Sequence, residues 1–243
     1  MQITFSLVLA ATTLLNCRSL ECSNTSSPVA TDSLKKHGVV TASSIYRAYY
    51  LAVGLFHALL IILPQAQQQA LCPHIEHVRH DHLTLTYRTS TALALICLGS
   101  FVRIYAFWQL GSCFTFSLSK PDRLITTGLY SYIRHPAYVG LAIQAPAVLY
   151  FWAREDGVLA CFMPGLTKLH VLAVVHWVLW AIALPVIGWV RIEEEEALLE
   201  RTFGQQWKEY RQTTHYCPEP KSATFFAIYY YTLAAKSLNI PFQ

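Results

Sequence analysis

LHVLAVVHWVLWAIALPVIGWV, residues Leu169–Val190, runs for 22 residues without one Asp, Glu, Lys or Arg. A helix of about 20 mostly apolar residues matches the hydrocarbon thickness of a bilayer. Working outward, four more stretches approach the same pattern. Gln2–Cys17 is uncharged but short, Ile45–Pro64 is charged only at Arg47, Thr91–Leu110 only at Arg103, and Ala137–Ala153 not at all. Val158–Leu166 is apolar too, but the Pro164–Gly165 pair separates it from the last span. The expectation is an all-α, polytopic membrane helix bundle of about five spans.

Composition agrees. Of 243 residues, 54% are hydrophobic and 13% charged, and the mean hydropathy is +0.34. A soluble domain carries about 25% charged residues. The apolar, aromatic content excludes disorder. Seven cysteines in a chain of this length show no even framework, so a disulfide scaffold is not expected. The net charge of +4 is dispersed rather than gathered into a basic patch, which argues against a nucleic-acid partner.

Loop charge gives an orientation. With the N-terminus outside and five alternating spans, only Arg79, Arg88, Arg154 and Lys168 fall outside, and Arg47 and Arg103 lie in or beside spans. The other twelve of the 18 Lys and Arg residues fall inside. Basic loops favour the cytosol, so Gly111–Pro136 and the C-terminal segment are expected there. Met1–Leu15 also resembles a signal-peptide core, though it lacks a basic start.

Two stretches carry candidate chemistry. GLYSYIRHPAYVG, Gly128–Gly140, sits at the mouth of a span. Arg134 and His135 are costly there unless solvated or paired, and Pro136 suits the first turn of a following helix. RIEEEEALLERTFGQQWKEY, Arg191–Tyr210, follows directly on the last span. On a helix, Arg191, Glu194, Glu195, Leu198 and Leu199 share one face, with Glu193 and Glu196 pointing elsewhere. Four consecutive Glu beside a membrane suggest that something cationic binds there.

Together these stretches resemble the isoprenylcysteine carboxyl methyltransferase family, among the membrane-embedded phospholipid-type methyltransferases. The resemblance covers about Phe114–Tyr210: LITTGLYSYIRHPAYVG, a span, then R-x-EEEE-x-LL with an FG-x-x-W-x-x-Y tail. It implies methylation of the C-terminal carboxylate of a prenylated cysteine, with S-adenosylmethionine as cofactor. It implies a cytosolic cofactor pocket built from the loop before span four and the C-terminal helix. Leu124, Ile125, Tyr130, His135, Pro136, Ala137, Tyr138 and Glu195 would bind the cofactor. Arg191 would bind the substrate carboxylate and take the catalytic role. No metal ligand is assigned. The implied partners are prenylated, CaaX-processed proteins and the lipid bilayer, and the implied location is the endoplasmic reticulum membrane. Three regions follow: membrane spans over 1–113, a methyltransferase core over 114–213 and an interfacial tail over 214–243. The family's histidine six residues before the motif glycine is Asp122 here, so no role is carried to that position. The stretch THYCPEPKSATFF also departs from the family's pattern.

The chemistry fits that resemblance. A carboxylate with a pKa of about 3.5 is already ionised at neutral pH and needs no base, only alignment. A guanidinium can clamp it in two-point fashion. Two rivals share the cofactor region: a phospholipid or amine N-methyltransferase, and a sterol-type reductase. A structural or receptor-like bundle is the non-enzymatic rival. Elsewhere, CPHIEHVRHDH (Cys72–His82) offers His74 and His77 at i, i+3 but fits no closed zinc pattern, and an exposed loop is expected. Arg103 is expected either to pair with an acid such as Glu195 or to snorkel to the interface.

Overall fold

The computed structural model describes residues 2–21, 39–114, 118–152, 154, 156–162 and 166–214. The Ser/Thr-rich stretch Asn24–Ser33, the Pro164–Gly165 break and the interfacial tail beyond 214 lie outside them. Among the described residues every regular element is helical, as expected. The helices are α1 (Gln2–Ser19), α2 (Val39–Ile62), α3 (Gln65–Leu71), α4 (His80–Leu83), α5 (Tyr87–Leu110), α6 (Pro136–Trp152), α7 (Leu166–Phe203) and α8 (Gln205–Thr213).

Local chemistry sets the ends. Thr86 caps α5 by accepting from the Thr89 N–H, while the Thr89 hydroxyl accepts the Thr86 N–H at 2.8 Å. Pro136 opens α6, where its missing N–H costs nothing. The last apolar run and the acidic segment form one 38-residue helix, α7. At 1.5 Å per residue it extends about 57 Å, well beyond a 30 Å hydrocarbon core. Its acidic end therefore projects out of any membrane that its apolar part crosses. Gly204 then reverses the chain at φ 53° into α8.

The core is formed by α1, α2, α5 and α6, around Phe5, Leu9, Tyr50, Ile96, Phe151 and Trp152. Ser44–Ile62 and Tyr87–Cys113 are long and apolar enough to cross a membrane. Outward-facing Leu7, Leu14, Leu55, Leu59, Leu98 and Phe101 are exposed, whereas Asn16, Ser19, Ser100, Arg103 and Gln144 are buried. Apolar outside with polar groups tucked between helices is the arrangement a lipid solvent favours.

Helices α5 and α6 approach closely. A Cβ on Gly99 would come within 2.5 Å of the Gly140 carbonyl oxygen, and one on Gly140 within 2.6 Å of the Gly99 carbonyl oxygen. A polar ladder crosses this seam to α1. Ser100 donates to Gln144 Oε1 at 2.9 Å, and Gln144 Nε2 donates to the Ser19 hydroxyl at 3.2 Å. The Arg103 guanidinium donates to the carbonyls of Ser19 (3.1 Å) and Ala137 (2.9 Å) and lies over the Phe107 ring. Neither expectation for Arg103 holds: it is buried, and it satisfies itself on backbone rather than on Glu195. Segment α1 packs against α2 and α5, with Phe5 and Leu9 in the shared core.

The Cys72–His82 stretch also departs from expectation. Cys72 is bonded to Cys161 in a disulfide, although the cysteines suggested no framework. The partners lie 89 residues apart, too far for spacing to reveal them. His82 is buried rather than loop-exposed, and its backbone oxygen contacts His57 Nε2 at 2.7 Å.

Candidate active site

The motif loop is held from two sides. Gly128 adopts φ 64°, and any side chain there would collide with Gln109. That left-handed turn favours glycine, and it delivers the Leu129 N–H to Gln109 Oε1 at 3.0 Å. Tyr130 points inward and donates to the Ala106 carbonyl on α5. From the other side, Tyr210 on α8 donates to the Tyr130 carbonyl at 2.6 Å. The final Tyr of the C-terminal motif thus clasps the first Tyr of the glycine motif, 80 residues away.

Between loop, α5, α6 and α7 lies a cavity of about 320 Å³. That is within the size range of small-molecule sites. Leu124, Ile125, Tyr130, His135, Ala137 and Tyr138 line it from the loop side, and Arg191 and Glu195 from α7. Of the expected residues only Pro136 stays behind the wall, buried as the first residue of α6. Asp122 is exposed and outside the lining, but the adjacent Arg123 reaches it. Sequence reasoning gave no role to Arg123 or Trp207 and marked Arg134 only as a charge needing a partner, yet all three line the cavity.

Glu195 is the electrostatic hub. Its Oε1 accepts from Tyr138 Oη at 2.8 Å and from Arg191 Nε at 3.0 Å. Its Oε2 lies 3.6 Å from His135 Nδ1. Burial opposes ionisation of Glu195, but the His135 contact, the Arg191 charge and the Tyr138 hydroxyl outweigh it, so the carboxyl sits below its ordinary range. Glu196 faces away from the cavity, as expected, but it too meets the motif loop. Glu196 Oε1 accepts from Arg134 Nη1 at 2.9 Å and lies 3.2 Å from His135 Nε2. Adjacent helix positions differ by about 100°, yet the loop wraps the corner of α7 and meets both. Burial would depress the His135 pKa, but the two flanking carboxylates reverse that and raise it. Glu193 is exposed, as expected.

The profile of the isoprenylcysteine carboxyl methyltransferase (ICMT) family matches residues 92–163. A protein-S-isoprenylcysteine O-methyltransferase of Schizosaccharomyces pombe is 30% identical over 172 residues, 68% of this chain and 64% of its own length. Both matches support a likeness to the isoprenylcysteine carboxyl methyltransferase family. A probable protein-S-isoprenylcysteine O-methyltransferase of Oryza sativa subsp. indica is 28% identical over 180 residues, 72% of this chain and 79% of its own. The protein-S-isoprenylcysteine O-methyltransferase of Mus musculus is 27% identical over 132 residues, 53% of this chain and 40% of its own. The chain thus spans less than two thirds of the yeast and mouse relatives it matches. No solved structure matches it. The isoprenylcysteine carboxyl methyltransferase profile covers most of α5, the motif loop and α6. The acidic end of α7 and all of α8, which complete the cavity, fall beyond it.

Proposed function

We propose that this protein methylates the C-terminal carboxylate of prenylated cysteine, using S-adenosylmethionine. The observation that carries this reading is the charge of the cavity wall. Arg103, Arg123, Arg134 and Arg191 line it against one carboxylate, Glu195. A basic wall suits an anionic acceptor and disfavours the amine of the N-methyltransferase rival.

S-adenosylmethionine, when bound, supplies a methyl group on a sulfonium. The residues present fit such a ligand. Glu195 is held ionised and partly open to the cavity, so it can face a cationic amino group. Tyr130 and Tyr138 offer flat faces, and Leu124, Ile125 and Ala137 offer apolar contact. His135 and Pro136 fix the turn that presents them. Arg191, buried and braced by Glu195, would hold the acceptor carboxylate in line. No residue needs to remove a proton. Charge is neutralised as the reaction proceeds, so the largely buried, low-dielectric setting favours it. The acceptors would be prenylated, CaaX-processed proteins, whose lipid already resides in a membrane.

The same reading includes a multi-pass chain of about five spans in the endoplasmic reticulum membrane, with residues 114–213 as the methyltransferase core. Two observations support a cytosolic pocket. Basic residues are concentrated in the loops on the pocket side. The Cys72–Cys161 disulfide lies at the other end of α6, while the free Cys113 lines the pocket. Disulfides persist in oxidising compartments and thiols in the cytosol.

The test is methyl transfer in membranes expressing this chain, with labelled S-adenosylmethionine and N-acetyl-S-farnesylcysteine. A base-labile ester that requires both Arg191 and Glu195 is expected. Glu195→Ala should weaken binding of S-adenosylhomocysteine, and Arg191→Ala should spare it while lowering turnover. Cofactor binding without ester formation would move the acceptor to an amine or lipid. No binding at all would reject the reading.

A further inference from the structure

At the end of α6 away from the pocket, about 25 Å along that helix, the turn Ile75–His77 presents side chains that methyl transfer does not use. It is a 3-10 turn, in which positions i and i+3 eclipse. His74 and His77 hold such positions, and their rings lie 5.9 Å apart. Glu76 reaches between them. Its Oε1 is 3.5 Å from His74 Nδ1 and 3.7 Å from His77 Nε2. The three donor atoms fall within 4.8 Å of one another.

These spacings are close to those around a tetrahedral ion. Zinc bonds of about 2.0–2.2 Å to imidazole nitrogen and carboxylate oxygen place two donors roughly 3.4 Å apart. Both Glu–His spacings are near that value, and the His–His spacing closes by ring rotation. Each imidazole is 34% exposed, which leaves room for that rotation.

The backbone beneath is already fixed. Cys72 is tied to Cys161 across the sequence, and Ile75 N–H donates to the Cys72 carbonyl. His77 N–H donates to the His74 carbonyl at 3.0 Å, and Arg79 N–H to the Asp156 carbonyl at 2.9 Å. Val78 is buried directly after the turn. A ligand set on a fixed backbone loses little further entropy when it closes on an ion.

We propose that His74, Glu76 and His77 form a surface site for a divalent ion of the zinc type, with water completing the coordination. Two imidazoles and one carboxylate select Zn²⁺ or Cu²⁺ over Ca²⁺ and Mg²⁺, which require oxygen shells. His82, buried and facing Asp156, and the exposed His80 stand outside the set. The proposal is independent of the methyltransferase reading.

The experiment titrates Zn²⁺ into the full-length, detergent-solubilised protein at neutral pH by calorimetry. The chains compared are wild type, His74→Ala/His77→Ala, Glu76→Gln and His80→Ala. Wild type should bind one equivalent. The double variant should lose affinity by about tenfold or more and Glu76→Gln by a smaller factor, with His80→Ala unchanged and Ca²⁺ failing to compete. Unchanged melting temperatures without metal would establish that the variants fold, since all three side chains are at the surface. Equal affinity in the double variant, or no Zn²⁺ binding to wild type below about 1 mM, overturns the proposal.

Discussion

Glu196 Oε1 lies 3.2 Å from His135 Nε2, and this contact joins the motif loop to the acidic end of α7 across 61 residues. The same oxygen accepts from Arg134 Nη1, and Arg211 on α8 stands 3.9 Å from the other. Three basic groups from two elements thus converge on one carboxylate that does not itself line the cavity. Its work is to position.

Replacing that carboxylate should therefore loosen the loop without removing a wall residue. For Glu196→Gln we expect S-adenosylhomocysteine to bind about tenfold more weakly, a change of about 1.4 kcal/mol. Turnover at saturating cofactor should fall less. Calorimetry and a kcat-against-KM comparison check this, and Glu196→Asp should recover part of the loss.

Two histidines should give stability opposite pH dependences. His135 has a raised pKa in the folded protein, so its contribution is complete below about 6.5 and is lost as pH rises through the raised value. His82 behaves in reverse. Burial is the main cause of its fall to about 4, against support from Asp156, with Arg154 and Arg79 adding to the fall. Its neutral form favours folding above about 6.5, and that benefit is lost as pH falls toward 4. The loss is of order 3 kcal/mol. Melting temperature against pH should slope down on both sides. His135→Gln should flatten the alkaline limb and His82→Phe the acid limb.

The seam between α5 and α6 has no space for a methyl group. Gly140→Ala would place a Cβ within 2.7 Å of the Arg103 side chain as well as against the Gly99 carbonyl. A destabilisation of about 1–3 kcal/mol is expected, the usual cost of overpacking. Thermal unfolding in detergent measures it, and a melting temperature equal to wild type would contradict the close approach.

Removing the crosslink should cost more. Cys72→Ser/Cys161→Ser frees a loop of 89 residues and should lower stability by about 2–4 kcal/mol. In sealed vesicles, a membrane-impermeant maleimide should label these two positions of the wild type only after reduction, and only from the face opposite the cavity.

How much of this was legible in the sequence depended on whether a residue's role was local. Arg134, His135 and the Glu run stood out because charge beside an apolar span is costly unless it is used. Eight of the nine expected site residues meet in one cavity. Glu196 was missed because a helical face describes one direction, and here the partner loop turns a corner. The Cys72–Cys161 bond was missed because nothing near either cysteine marks it. Arg103 was flagged, but its partners are main-chain carbonyls, which leave no trace in side-chain identity.

The Arg103 guanidinium, part of the cavity wall, rests on the carbonyl oxygen of Ser19. Every amino acid supplies the same oxygen, so a substitution at residue 19 would remove the hydroxyl that Gln144 uses and leave this support in place. The profile match begins only at residue 92. Part of the cavity wall thus rests on α1 through its main chain rather than through its side chains. A chimera joining the N-terminal helix of a distant relative to this core is therefore a fairer measure of kinship than identity over those residues.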